Sequence, residues 1–268
     1  ITTFIGLLLA NLVRYRVARR YVPWFGVSRP ERGEIHESVS LNCWGGLNSL
    51  GSMLFTAADC VLVGIVFGPK AVAVYLMTGS LCRFSFGPFQ QFLTSGNSGI
   101  GYLAGKQEWG KIESIRYEQL SFAALGMAIL GSATVLLNES FLSLWVGREL
   151  YGGLALTTAL SLMAFIRQLV TMESIPLDAI LELRWKTIAM FMFGLLGVTL
   201  GYVFSFLFGL AGIPFGLALA SIGQLLCLQW LIQRYTPMRL NSYWHVSARP
   251  VALLMLTVVA AYLISSHG

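Results

Sequence analysis

Apolar residues along the chain collect into long runs separated by short polar connections. A run of about 20 apolar residues, wound as a helix at ~1.5 Å per residue, crosses a hydrocarbon core of ~30 Å. The runs at 47–67, 120–137, 154–171, 187–208 and 212–232 meet or approach that length, and a shorter one follows at 251–264. Residues 1–13 read as the end of an earlier span, because they have neither the basic flank nor the small-residue cleavage site of a signal peptide. The numbering therefore reads as beginning part-way through a longer protein. The stretch 71–104 would be about 50 Å long as one straight helix, so it is expected to extend beyond the membrane or to break. The expected fold is all-α and polytopic. It comprises the partial span 1–13, a basic linker 14–37, a six-helix transmembrane bundle over 38–235, and a loop with one additional helix over 236–268.

Composition agrees with this segmentation. With 56% hydrophobic and 11% charged residues and a mean hydropathy of +0.71, a soluble enzyme and a disordered chain are excluded. The net charge of +6 would suggest nucleic acid in a soluble protein, so its placement matters. Arg14 to Arg32, then Lys106, Lys111 and Arg116, then Arg184 and Lys186, then Arg234, Arg239 and Arg249 fall in alternate loops. The intervening loops hold only Lys70 and Arg148, while Arg83 and Arg167 lie inside spans. Such alternation marks the basic loops as cytoplasmic and removes the case for nucleic acid. Cys43, Cys60, Cys82 and Cys227 have no C-x-x-C spacing, and His36, His245 and His267 lie outside the apolar runs. Neither a metal site, a cofactor nor a hydrolytic constellation is indicated, so no enzyme is expected.

Polar residues within the spans carry the functional expectation, since an ionised side chain at the bilayer centre costs about 2.5–3.5 kcal/mol. Asn42, Gly45, Ser49, Ser52, Thr56 and Asp59 recur at steps of three and four, which places them on one helical face. Arg83, Gly87, Gln90, Thr94, Asn97 and Gly101 repeat the design on the next span, with Gly87-Pro88 as an expected helix break. A third face holds Thr157, Ser161, Gln168 and Thr171, with Arg167 adjacent. The candidate cavity residues are thus Asp59, Arg83, Gln90, Asn97, Arg167 and Gln168. Asp59 and Arg83 sit at comparable depths, about 14 and 18 Å from the outer end, so an ion pair between them is feasible. Such a pair would serve either helix register or a substrate site. Glu173, Asp178 and Glu182 read as a solvated face where a span leaves the membrane.

Several of these residues have a familiar order. Asp59-Cys60-Val61-Leu62-Val63-Gly64 followed by Gly68-Pro69-Lys70-Ala71-Val72-Ala73-Val74-Tyr75 resembles the D-x-x-x-x-G … G-x-x-A-V-x-x-Y hairpin of polysaccharide flippases. That family belongs to the multidrug/oligosaccharidyl-lipid/polysaccharide exporter superfamily. Leu181 to Lys186 is similar to its L-x-x-x-x-K turn before the eleventh helix, and Leu210 to Ala220 to the glycine- and alanine-rich start of the twelfth. The resemblance implies the C-terminal lobe of a two-lobe transporter, moving lipid-linked oligosaccharide across the bacterial inner membrane by alternating access. It implies as partners membrane lipid, a lipid-linked glycan and other polysaccharide-assembly membrane proteins. Arg83 and Arg167 would then be cavity cations, and Asp59 the hairpin carboxylate. Gly87-Pro88 is no feature of that family. A multidrug/cation antiporter of the same superfamily and a membrane glycan polymerase or ligase remain the alternatives.

Overall fold

A computed structural model describes residues 32–235 continuously, together with 11, 13–17, 20, 250, 252, 256, 257 and 262. Most of the expected spans 1–13 and 251–264, and most of the linker, fall outside the described residues. The chain divides into two compact units, Ile1–Asn42 and Cys43–Gly268. The packing contacts and the cavity described below lie in the second.

Among the described residues the chain is all-helical, with no strand. The helices are α1 (Arg32–Phe67), α2 (Pro69–Thr78), α3 (Ser80–Thr94), α4 (Asn97–Gly105), α5 (Trp109–Trp145), α6 (Leu154–Ala179), α7 (Leu183–Phe208) and α8 (Gly212–Ile232). Four stretches, Ser38–Phe67, Trp109–Trp145, Leu154–Ala179 and Leu183–Ile232, are long and apolar enough to cross a membrane. The last contains both α7 and α8, joined by the 3₁₀ turn Gly209–Ala211. Gly209 opens that turn at φ 59, a conformation that costs a residue with a Cβ.

The stretch 71–104 does break, but not where the proline stands. Helix α3 runs through Gly87-Pro88 without interruption; the breaks fall at Gly79 and at Ser95-Gly96. Pro88 removes only a single backbone donor, whereas the groups freed at Gly79 are met by side chains from three directions. Arg83 donates from Nη2 to the carbonyl of Leu76, and Ser80 Oγ donates to the carbonyl of Met77 at 2.6 Å. From α5, Asn138 Nδ2 donates to the carbonyl of Thr78 at 2.9 Å and to Thr157 Oγ1 of α6 at 3.0 Å. The Gly152 amide reaches Thr78 Oγ1 at 2.8 Å. A buried helix end requires such partners.

The core lies between α3, α5 and α6, where Ala123, Ala124, Met127 and Ala128 of α5 meet Leu160, Met163 and Ile166 of α6. Phe89 of α3 seats on Gly126, whose missing side chain provides the space; a Cβ there would stand 2.1 Å from the ring. Helices α7 and α8 pack backbone to backbone. A Cβ on Gly216 would lie 2.4 Å from the amide nitrogen of Gly201, and one on Gly212 would lie 2.0 Å from the carbonyl oxygen of Phe204. This is the close approach that small residues permit between membrane helices. Helix α1 meets α7 differently, through the rings of Phe55 and Phe191 set edge to face at 5.6 Å. Phe55 occupies the notch left by Gly194, and Phe191 the one left by Gly51.

Side chains gather the starts of α5 and α7 and the ends of α6 and α8 at one end. Arg116 of α5 bonds Glu173 of α6, with Nη2 to Oε2 at 2.7 Å, and Lys186 of α7 bonds Asp178 of α6 at 2.5 Å. Beyond α8, Tyr235 donates to Glu182 at 2.6 Å, and its ring lies 6.1 Å from that of Trp109. The bond to Glu182 is the main cause holding the Tyr235 phenol above its ordinary range, with burial adding to it. The three carboxylates expected on a solvated face are therefore joints between helices, and Glu173 is fully buried. Arg184 lies over Trp185 and Trp44, at 5.5 and 6.0 Å, and Arg234 over Trp230 at 4.3 Å. Aromatic and basic side chains with exposed faces are the composition of a membrane interface.

Candidate functional site: a polar cavity inside the lobe

Helices α1, α6, α7 and α8 surround a cavity of about 250 Å³. It exists because the facing positions carry small groups: Ser52 and Thr56 on α1, Thr171 and Ser174 on α6, Gly194 and Gly197 on α7, and Ser221 on α8. Large apolar residues at these positions would close the space, as they do between α5 and α6. The hydroxyls bond back to their own helices: Ser52 to the carbonyl of Ser49 at 2.8 Å, Thr56 to Ser52 at 2.7 Å, Thr171 to Arg167 at 2.9 Å and Ser221 to Leu217 at 2.8 Å. Asn48, Gln224, Arg167 and Lys186 complete the polar lining.

The two cations differ in their state. Lys186 Nζ is held by both carboxylate oxygens of Asp178, at 2.5 and 2.7 Å. Arg167 has no such partner: Nη2 donates over a long 3.4 Å to the carbonyl of Phe55, and no carboxylate lines the cavity.

Of the six candidates from sequence, only Arg167 lines this cavity. Asp59 and Arg83 form no ion pair. Asp59 is buried, accepts from Tyr75 Oη at 3.0 Å through Oδ2, and accepts from the Cys60 amide at 2.8 Å through Oδ1. Tyr75 reaches it because α2 folds back along α1 through the tight Gly68 turn, while Arg83 is committed to the backbone at the Gly79 break. Gln168 is buried elsewhere on α6, 3% exposed, with Nε2 lacking a partner. Gln90 and Asn97 are half-buried on α3 and at the start of α4. Gly87 and Pro88 are exposed within α3 rather than at a break.

The cavity residues the sequence did not single out have intelligible reasons for escaping notice. Asn48 is one position out of phase with the stripe through Ser49 and Ser52. Lys186 belongs to a loop when read by hydropathy. Ser221 is a lone hydroxyl in an apolar run, although its spacing of three from Gln224 is a signal that it shares a face.

The Asp59 to Tyr75 bond supplies a direct stability test. A hydrogen bond to a charged group contributes about 1.5–3 kcal/mol, so Tyr75→Phe is expected to lower stability by that order. Denaturant titration in detergent measures it, and a Tyr75→Phe protein as stable as wild type would show that Asp59 draws nothing from the phenol.

With the geometry established, the chain was set against family models, curated proteins and solved structures. Nothing matches. What the chain is for therefore rests on its own residues.

Proposed function

We propose that residues 38–235 form the six-helix C-terminal lobe of a membrane transporter, with α2 to α4 together making the second crossing. In this reading the cargo is a lipid-linked oligosaccharide, moved across the bacterial inner membrane by alternating access for surface-polysaccharide assembly. The observation that carries it is cationic and polar surface within apolar helices. Arg167 lacks a carboxylate partner in the cavity, and Ser49, Ser52 and Thr56 of α1 and Arg83 and Gln91 of α3 lie on exposed faces. Hydrocarbon penalises such faces, so they belong against a watery passage or another bundle. Cations without a direct carboxylate contact suit an anionic cargo, such as a diphosphate-linked or acidic glycan.

A cation antiporter is less well supported, because no carboxylate lines the cavity. A polymerase or ligase would use a long outer loop, and the connection after α5 holds only the three-residue turn Arg148–Leu150 between short extended segments.

Arg83 is the first test. In a strain lacking its own exporter, Arg83→Glu in the complete protein is expected to reduce surface glycan at least tenfold, a loss equivalent to about 1.4 kcal/mol. Arg83→Lys should retain part of the activity at equal membrane abundance. Normal export by Arg83→Ala would remove this residue from the passage. Impermeant labelling of cysteines placed beside Lys106 and Arg148 reports the topology, and labelling of both from one side would overturn it.

A further inference from the structure

We propose that the end of the lobe where α7 begins and α8 ends holds the headgroup of an anionic phospholipid, its phosphodiester bound by Arg184 and Arg234 beside Trp185.

Both arginines stand at the limits of one apolar stretch. Leu183–Ile232 is long and apolar enough to cross a membrane; Arg184 is the second residue of α7, and Arg234 follows the last residue of α8 by two positions. Helix α8, with 21 residues, is about 31 Å long against a hydrocarbon core of ~30 Å, so side chains just past its end meet the layer of lipid phosphates. Beneath Arg234, Leu219, Ile222, Leu226 and Trp230 recur at steps of three and four, and all are exposed. They form an apolar stripe that an acyl chain can cover.

Both guanidiniums are positioned without being bound. Arg184 lies over the rings of Trp185 and of Trp44 on α1, and Arg234 over Trp230. Among the described residues neither side chain pairs with a carboxylate, and each has five N–H donors. Stacking on a ring leaves free the edge of a guanidinium, the fork that fits a phosphate through two hydrogen bonds. Trp185 and Arg234 line one cleft of about 40 Å³ together with Leu177, Glu182, Leu231 and Tyr235, which brings the two arginines to a common surface. The cleft has room for about one water at ~30 Å³, so the phosphate lies across its rim rather than inside it.

The acids of this end are part of the charge balance. Glu182 keeps its negative charge while accepting from the neutral Tyr235 hydroxyl. Arg116 is matched by Glu173, Lys186 by Asp178 and Lys111 by Glu108. Lys106, over the ring of Tyr102, is matched in number by Glu113, and Glu118 stands about 14 Å further along α5 than Trp109. Arg184 and Arg234 against Glu182 therefore leave one positive charge at the rim. A lipid whose headgroup carries a single phosphodiester charge, of the phosphatidylglycerol class, balances it; a zwitterionic lipid brings its own ammonium and does not. Basic clefts between membrane helices hold anionic headgroups in this way.

The experiment uses the full 268-residue chain, delipidated in neutral detergent and titrated with phosphatidylglycerol, phosphatidylcholine or inorganic phosphate, with bound lipid counted by native mass spectrometry. One phosphatidylglycerol is expected to bind about tenfold or more tightly than phosphatidylcholine. Excess inorganic phosphate should not displace it, because phosphate has no acyl chain to cover the α8 stripe. Arg184→Gln/Arg234→Gln should weaken the binding about thirtyfold. Both side chains are exposed, so this variant should keep the wild-type melting midpoint in the absence of lipid. Arg184→Lys/Arg234→Lys preserves the charge without the fork and should fall between the two, which keeps the test open if the glutamine variant folds poorly. Lys106→Gln/Lys111→Gln removes as much charge from the same end and should change the affinity by less than about threefold. Equal retention of the two lipids would mean an unselective lipid surface, displacement by free phosphate a site for soluble anions, and an equal loss in the Lys106/Lys111 variant diffuse attraction; each would overturn the proposal. No cargo enters the measurement, so its failure leaves the transport reading untouched.

Discussion

Replacing Glu173 by glutamine is expected to destabilise the second unit by about 3–5 kcal/mol, the cost of leaving one member of a buried ion pair without its counter-charge. Glu173 is 0% exposed and Arg116 1%; Glu173 Oε2 accepts from Nε of the guanidinium at 2.9 Å and lies 2.7 Å from Nη2 in the ion pair. Arg116→Met should cost a similar amount, because it strands the carboxylate instead. The double variant Arg116→Met/Glu173→Leu is expected to recover most of the loss, since apolar groups of matching volume remove both desolvation penalties. Unfolding in denaturant, with each single and the double measured in one detergent, closes the cycle. If the double is as unstable as the sum of the singles, the two residues act independently and the pair is not the joint between α5 and α6.

Gly216→Ala is expected to produce the second large effect. The added methyl would stand 2.4 Å from the amide nitrogen of Gly201 and 2.6 Å from the carbonyl carbon of Leu200. Both obstacles are backbone, so no side chain can turn aside and α7 and α8 must move apart. Overpacking of this kind costs about 1–3 kcal/mol, and here it also loosens the wall of the cavity that Gly197 and Leu217 line. Gly46→Ala provides the control. Nothing lies within 4 Å of the added carbon, and replacing a mid-helix glycine by alanine gains about 0.5–1 kcal/mol. Thermal denaturation should therefore separate the two variants in opposite directions, and equal midpoints would show that α7 and α8 tolerate a wider spacing.

The apolar runs 187–208 and 212–232 anticipate α7 and α8 closely, because hydropathy and the glycines between them report the same boundary. The run 120–137 marks only the middle of α5, which extends over Trp109–Trp145. Its ends carry Glu113, Arg116 and Glu118, so hydropathy registers membrane depth rather than helix length. The break at Gly79 was not legible, since its satisfaction depends on Asn138 sixty positions away. The same limit hid the Arg116 to Glu173 joint. A basic residue near a span end reads as a loop cation, and only the packing of α5 on α6 brings its partner from 57 positions away. Periodicity found the α1 stripe that contributes Ser52 and Thr56 to the cavity, and composition found Arg167. It could not tell which stripes converge, because relative rotation of helices is set by contacts such as Phe55 in the Gly194 notch.

The close seam between α7 and α8 also bears on the order in which the lobe comes together. All its contacts lie within the 50 residues of Leu183–Ile232, joined by a three-residue turn, so ring closure costs little chain entropy. This pair can associate as soon as both helices have left the ribosome, without waiting for any other segment. The Arg116 and Glu173 side chains can be sealed from water only when α5 and α6 meet. Lys186 then links the early pair to the later one through Asp178, a half-exposed clasp that fastens the two halves of the assembly.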